Sequence, residues 1–255
     1  SGEVVAVEPR PHPMGRSLPA VVIKPDGEDL WDESLQQNDP DHLGADELKK
    51  LICAAGIVGL GGATFPAHVK LSPPEGKKID TLILNGVECE PFLTADHRMM
   101  LEESERIIDG IKILRKILGL DTAIIGIEVN KPDAIEKLTA ECTPHNIQVQ
   151  PLKVQYPQGA EKQLIDACTG RQVPSGGLPM DCGVVVQNVG TCAAISDAIR
   201  LGHPLVERVA TVTGPGVAEP KNLLIAIGTP LQHLINRCGG TDGNPAKIIM
   251  GGPMM

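Results

Sequence analysis

Four short stretches of this 255-residue chain hold the residue types that could do chemistry. The first, GIVGLGGATFPAHVK at 56–70, packs Gly59, Gly61 and Gly62 ahead of Phe65 and Lys70. Glycine costs conformational entropy on folding, and tandem glycines more so. Such a loop either stops a helix or lays bare backbone against a flat or phosphorylated ligand. The second stretch, LNGVECEPF at 84–92, puts Asn85, Glu88 and Glu90 into one turn. The third, QYPQGAEKQ at 155–163, holds Tyr156, Gly159 and Glu161, and the fourth, VQNVGT at 186–191, holds Asn188 and Thr191. Taken singly, each has an ordinary reading: a turn, solvated carboxylates, a packing tyrosine, an N-cap asparagine. Taken together they offer carboxylates, amides, a hydroxyl, aromatic faces and exposed backbone, an inventory suited to a planar polar cofactor.

Other chemistries lack their residues. The G-x-G-x-x-G and G-x-x-x-x-G-K-[ST] fingerprints are absent, as are G-x-S-x-G and the kinase motifs. The seven histidines form no H-x-x-x-H pair and the seven cysteines no C-x-x-C pair, so the chain itself is expected to ligate no metal or cluster. Scattered, odd-numbered cysteines fit a reducing compartment. A net charge of −9 argues against nucleic acid and anionic membrane surfaces. The uncharged run 51–67 is interrupted by Gly and Pro and falls short of the ~20 apolar residues of a spanning helix, so no direct membrane span is expected. Of only four aromatic side chains, Phe65, Phe92 and Tyr156 fall in loop-like segments rather than in apolar runs. Residues serving only the core would sit in the strand and helix patterns.

The elements that must position these residues follow from periodicity. Val4–Glu8 and Ala20–Lys24 read as strands with Pro/Gly turn chemistry between them, and 31–42 as a polar linker. Residues 45–55 have helical spacing ending at Gly56, and 104–118 carry an Ile/Leu stripe ending at Gly119. Apolar runs at 79–86, 121–129, 146–154 and 183–188 read as strands, alternating with helices at 130–141, 159–170 and 188–202. That alternation predicts a parallel α/β sheet, with ligands at the carboxyl ends of its strands. Beyond His203 the pattern becomes β–β–α–β, with the last strand at 247–252.

The combination GIVGLGGATFPAHVK, LILNGVECEP, YPQGAEKQL and VQNVGT, in that order, resembles the flavin-bearing C subunits of Rnf electron-transport complexes and the related flavin-binding subunit of respiratory complex I. HPMGRSLPAVVIKPDGED (12–29) resembles the end of that family's barrel-sandwich region, and VTGPGVAEPKNLLIAIGTPLQHLINRCGG (212–240) its β-grasp ligand-binding (SLBB) module. The resemblance implies three parts: a partial N-terminal β region over 1–36, a parallel-sheet FMN/NADH-binding α/β domain over 37–204, and an SLBB module over 205–255. It implies FMN along Gly59, Gly61 and Gly62, contacts from Lys70 and Asn85, and Asn188 and Thr191 near the phosphate end. Glu88 would stand near the flavin ring, Glu90 and Glu161 would face NADH, and Phe65 would stack on adenine. Tyr156 and Gly159 would belong to the same cofactor site.

Complex I flavin subunits carry acidic residues where Val87 and Ala160 stand, and a phenylalanine where Leu178 stands. The family's cysteine motifs for two [4Fe–4S] clusters are absent and would lie beyond Met255. The chain, which opens on Ser1 rather than methionine, is accordingly expected to be the flavin-bearing part of a longer subunit. The implied function is electron input to an ion-translocating NADH:ferredoxin oxidoreductase. Hydride would pass between NADH and FMN, and electrons would pass to iron–sulfur clusters. The implied partners are the membrane-embedded and iron–sulfur subunits of an Rnf complex and ferredoxin, and the implied place is peripheral, on the cytoplasmic side of the bacterial inner membrane. The alternatives are an A-type scaffold or quinone-contacting subunit of a sodium-pumping NADH:quinone reductase, or a ligand-binding module without enzymatic activity. The intact GLGGATFP and the Asn85, Glu88, Glu90 set favour the enzyme.

Overall fold

A computed structural model describes residues 1–12, 15–243 and 245–254. The expected hairpin turn at Pro13–Met14 and the Asn244 and Met255 positions of the expected SLBB module lie outside the described residues.

The chain divides into two compact units, Ser1–Gln36 and Gln37–Met255. The first is an antiparallel hairpin of β1 (Gly2–His12) and β2 (Arg16–Pro25), in register from Gly2↔Pro25 to His12↔Arg16 with a bulge at Val4/Ala6. Both strands run longer than the apolar cores that announced them. Val4, Val7, Val21 and Ile23 remain exposed.

The second unit is built on a four-stranded parallel sheet. Its elements begin with α1 (Ala45–Ala54), the short α2 (Ala67–Lys70), β3 (Thr81–Asn85), α3 (Ala95–Glu102) and α4 (Ser104–Leu118). There follow β4 (Ala123–Glu128), α5 (Pro132–Cys142), β5 (Ile147–Leu152), α6 (Glu161–Thr169), β6 (Val184–Asn188) and α7 (Val189–Arg200). The strand order is β5-β4-β3-β6, all parallel. Apolar side chains of β3 alternate between faces because the strand period is two. Leu82 and Leu84 enter the larger core with α1, α4, α5 and α7, while Ile83 enters a smaller one with Val184, Val186 and Leu164 and Ile165 of α6. Helices therefore cover both faces, as expected for a parallel sheet. α4 and α7 approach so closely that a Cβ on Gly110 would run into the Cys192 carbonyl.

Three readings of the sequence need correction. Strand 146–154 ends at Leu152, where its only partner β4 also ends: the last register pair is Glu128↔Leu152. The 31–42 linker is half structured: Pro40–His42 forms a 3-10 turn, Pro40 is buried, and Lys116 Nζ donates to its carbonyl at 2.6 Å. The strand expected at 247–252 does not form, and Ile248, Ile249 and Met250 stay exposed. The C-terminal module is thus β7 (Glu207–Val212) paired antiparallel with β8 (Lys221–Ala226), then α8 (Leu231–Arg237), with an isolated bridge Val217↔Thr241. No helix among the described residues is long and apolar enough to cross a membrane.

Candidate flavin and nucleotide site

The order β5-β4-β3-β6 sets the place of the site. After β3 the chain adds β4 and then β5 on one side, and then crosses back to lay β6 on the other. The turns leaving β3 and β6 lie side by side and lead to α3 and α7 on the same face of the sheet. The crevice outside the carboxyl ends of the strands is where open α/β sheets bind ligands. The terminal residues of these two strands, Asn85 and Asn188, are register partners on adjacent strands. Both were singled out from the sequence.

Asn188 is the N-cap of α7. Its Oδ1 accepts from Gly190 N at 2.8 Å and Thr191 N at 3.3 Å, which satisfies orphan amides of the first turn. Its Nδ2 donates to Asp96 Oδ2 at 2.6 Å. Thr191 is fully buried, and its hydroxyl accepts the Leu60 N–H at 3.0 Å. It thus ties down the glycine loop rather than opening into the crevice. A Cβ on Gly61 would stand 3.4 Å from Asn188 Cβ, so the loop backbone lies against the start of α7. Gly62 has φ +125°, which a side chain would strain, and residues 61–65 are exposed.

The other two stretches close on the same crevice. Lys70, at the end of α2, donates to Glu161 Oε1 of α6 at 2.6 Å and to the Val186 carbonyl of β6 at 3.2 Å. Asn85 Nδ2 donates to the Gly159 carbonyl at 2.8 Å, and Gly159 N–H points at Cys89 Sγ at 3.3 Å. All four stretches therefore meet, through direct contacts between their own residues. Phe65 is 46% exposed at the loop's far end and bonds through its backbone to Gly59.

Glu88 adopts φ +48°, uncommon for a non-glycine residue and the kind of strain that collects at functional sites. Its carboxylate caps α3, accepting Asp96 N at 2.8 Å and His97 N at 3.1 Å. Burial nonetheless raises its pKa above the ordinary carboxylate range. Beneath it runs a buried Lys131, whose Nζ donates to the Val87 carbonyl at 2.7 Å and lies 3.7 Å from the buried Glu128 carboxylate.

Glu90, Phe92, Tyr156, His97 and Lys131 line a cleft of about 410 Å³ beside the crevice. Glu90 Oε1 is buried without a hydrogen-bond partner among the described residues. Its Oε2 accepts Met254 N at 3.1 Å, and Tyr156 OH donates to Met254 O at 2.9 Å. Gly252 sits so tightly on the Glu90 carboxylate that a Cβ there would overlap it. The segment 252–254 thus forms one wall of this cleft.

Two participants escaped the sequence reading. α3 is short and polar, and part of its N-terminal cap comes from Glu88 across a turn, so no local signal marked it. Asp96 within it titrates at about 7, raised first by loss of hydration and then by the neighbouring Glu88. Arg208 of β7 donates to the Leu60 carbonyl at 3.2 Å, a contact 148 residues apart.

The geometry fits the resemblance. A loop of exposed glycine backbone, a cation at Lys70, an amide pair and flanking aromatics suit a planar ring bearing a phosphate. Residues 52–197 match a family model described as the Nuo51 FMN-binding domain, and 209–255 match an SLBB domain model. The chain is 53% identical over its whole length to the C subunit of the proton-translocating ferredoxin:NAD(+) oxidoreductase complex of Clostridium ljungdahlii, of which it covers 56%. It is 50% identical to the Na(+)-translocating counterpart of Acetobacterium woodii, covering 58% of it. The chain thus spans somewhat more than half the length of these curated relatives. A chain of an NAD+-reducing [NiFe]-hydrogenase in the H2-reduced state shares the fold, with a TM-score of 0.64 at 21% identity over 79% of this chain and 40% of that one.

Proposed function

We propose, from the premise that the chain belongs to the Nuo51 FMN-binding domain family and continues into an SLBB domain, that it is the flavin-bearing electron-input module of an ion-translocating ferredoxin:NAD(+) oxidoreductase. In this reading 37–204 is the FMN and NADH domain and 205–255 the SLBB module. The observation that carries the reading is the meeting of four polar and glycine-rich stretches at the carboxyl end of the sheet, with Asn85 and Asn188 as register partners on adjacent strands. FMN, when bound, supplies the hydride-accepting and one-electron chemistry. The protein's part is to hold and orient.

Gly59, Gly61 and Gly62 present backbone without side chains to the ring. Lys70, held by Glu161, supplies positive charge. Asn85 and Gly159 brace one another on the far wall. Asn188 and Thr191 act at the phosphate end, with Thr191 working through Leu60. Glu88 stands near the ring. Glu90, in the wall of the cleft beside Tyr156, faces the NADH side. Phe65 is placed to stack on adenine. Two [4Fe–4S] clusters held elsewhere in the longer subunit would link the flavin to ferredoxin and to the membrane-embedded subunits. The module works peripherally, on the cytoplasmic face of the bacterial inner membrane.

Glu90→Gln separates the two halves of this reading. It keeps the side chain's size, so FMN affinity stays within about twofold. Flavin reduction by NADH slows roughly ten- to a hundredfold, because a hydrogen bond to a charged group counts for about 1.5–3 kcal/mol. Equal loss of FMN binding and NADH reduction would contradict the division of roles.

A further inference from the structure

Two loops of the proposed flavin site are gripped from outside the α/β domain. Arg208 of β7 holds the glycine loop at the Leu60 carbonyl. Thr94, just ahead of α3, donates its N–H to Thr211 Oγ1 of β7 at 3.2 Å. Asn222 of β8 donates to the Thr94 carbonyl at 3.2 Å and to its hydroxyl at 2.9 Å, and shares a hydrogen bond with Thr211 at 2.7 Å. The same β-ribbon therefore fixes the loop leaving α1 and the turn leaving β3. Between those grips run Leu60, Thr191, Asn188 and Asp96, joined by consecutive hydrogen bonds.

We propose that the SLBB module completes the flavin site, with Arg208 as a positioning residue that fixes the glycine loop while Thr211 and Asn222 fix the turn at Thr94. This rests on the flavin reading for what the loops hold, but the bracing itself is a property of the protein alone. It gives the second module a task besides any ligand of its own. Whatever displaces the β7–β8 ribbon loosens both loops together. Asp96 reports the state of that brace. The charged groups acting on it are Glu88, Lys131 and Arg208, with Cys192 behind it and His97 beside Glu88. Arg208 favours the ionised carboxylate, so its removal raises the Asp96 pKa further.

The test uses the protein at full length and three variants, Arg208→Gln, Arg208→Lys and Thr211→Val. Without FMN, Arg208→Gln speeds amide exchange of Gly59 and Leu60, the hydrogen-bonded amides of the loop, roughly tenfold or more, raises the Asp96 pKa read by carboxyl NMR titration, and leaves the distant α5–β5 amides unchanged. With FMN, its affinity falls roughly tenfold. Arg208→Lys keeps Asp96 near its original titration and restores part of the loop's protection, a rescue that mere structural filling would not produce. Thr211→Val speeds exchange at residues 94–97 and keeps the proposal testable should Arg208→Gln fail to fold. Unchanged exchange at Gly59 and Leu60 in folded Arg208→Gln, or at 94–97 in Thr211→Val, overturns the bracing role. Failure of the wild-type protein to bind FMN overturns the flavin reading, while faster exchange in the variants still supports the brace, so the two failures separate.

Discussion

Gly61→Val is the substitution that most cleanly separates a ligand-facing glycine from a structural one. Gly61 is absent from the positive-φ positions, so its backbone accepts a side chain without conformational strain. Its virtual Cβ meets Asn188 Cβ at 3.4 Å, an ordinary contact, and the residue is exposed. The protein without ligand therefore tolerates the change, with stability altered by about 0.5 kcal/mol or less, as for surface positions generally. With a flat ligand against the loop, the two added methyl groups occupy its space. Overpacking a fitted contact costs about 1–3 kcal/mol, which corresponds to roughly 5- to 150-fold weaker FMN binding. Fluorescence-quenching titration measures the affinity, and urea unfolding at zero FMN measures the stability. Unchanged affinity in a folded variant would remove the loop from the site. A large loss of stability with proportionate loss of affinity would make Gly61 a structural glycine only.

Asp96, with its pKa raised from 3.8 to about 7, binds a proton more readily folded than unfolded. Its contribution to stability is therefore complete below about pH 4, declines as the pH rises through about 7, and stays flat above that. Glu88 is shifted in the same direction. Asp96→Asn should flatten this part of the urea-unfolding profile, and an unchanged slope would assign the dependence to other groups. Lys131→Met leaves Glu128 buried and uncompensated and should cost about 3–5 kcal/mol, most of it recovered by also changing Glu128→Leu. Failure of the double variant to recover would show that the lysine's bonds to the Val87 turn matter more than its pairing. Gly110→Val should destabilise the chain by more than about 3 kcal/mol through the Cys192 backbone, and a melting temperature within a few degrees of wild type would contradict that packing.

The parallel sheet was legible because its strands are short apolar runs bounded by helices with glycine stops, such as Gly119 in its left-handed C-cap. The site was legible where chemistry is concentrated in one stretch, as at 84–92 and 186–191. Asp96 and Arg208 were not, because their importance comes from contacts between distant segments: Asp96 with Asn188 and Arg208 with Leu60. No local pattern distinguishes a charged residue that turns inward from a solvated one. The missing strand at 247–252 failed for a related reason. Its Ile-Ile-Met run met the composition rule for a strand, but no partner strand is offered to it among the described residues, and strand propensity is realised only through pairing. Lys70 and Glu161 were assigned separate roles from sequence, whereas the structure pairs them directly.

The central claim is that these loops form one flavin site. The visible absorption spectrum tests it most directly, recorded after incubating the protein with FMN and removing the excess. A single site of this kind predicts a flavin spectrum at about one FMN per chain, released on denaturation and hence not covalent, and diminished in Gly61→Val. A protein that emerges folded and colourless, or one whose Gly61→Val variant retains the same flavin, would contradict it.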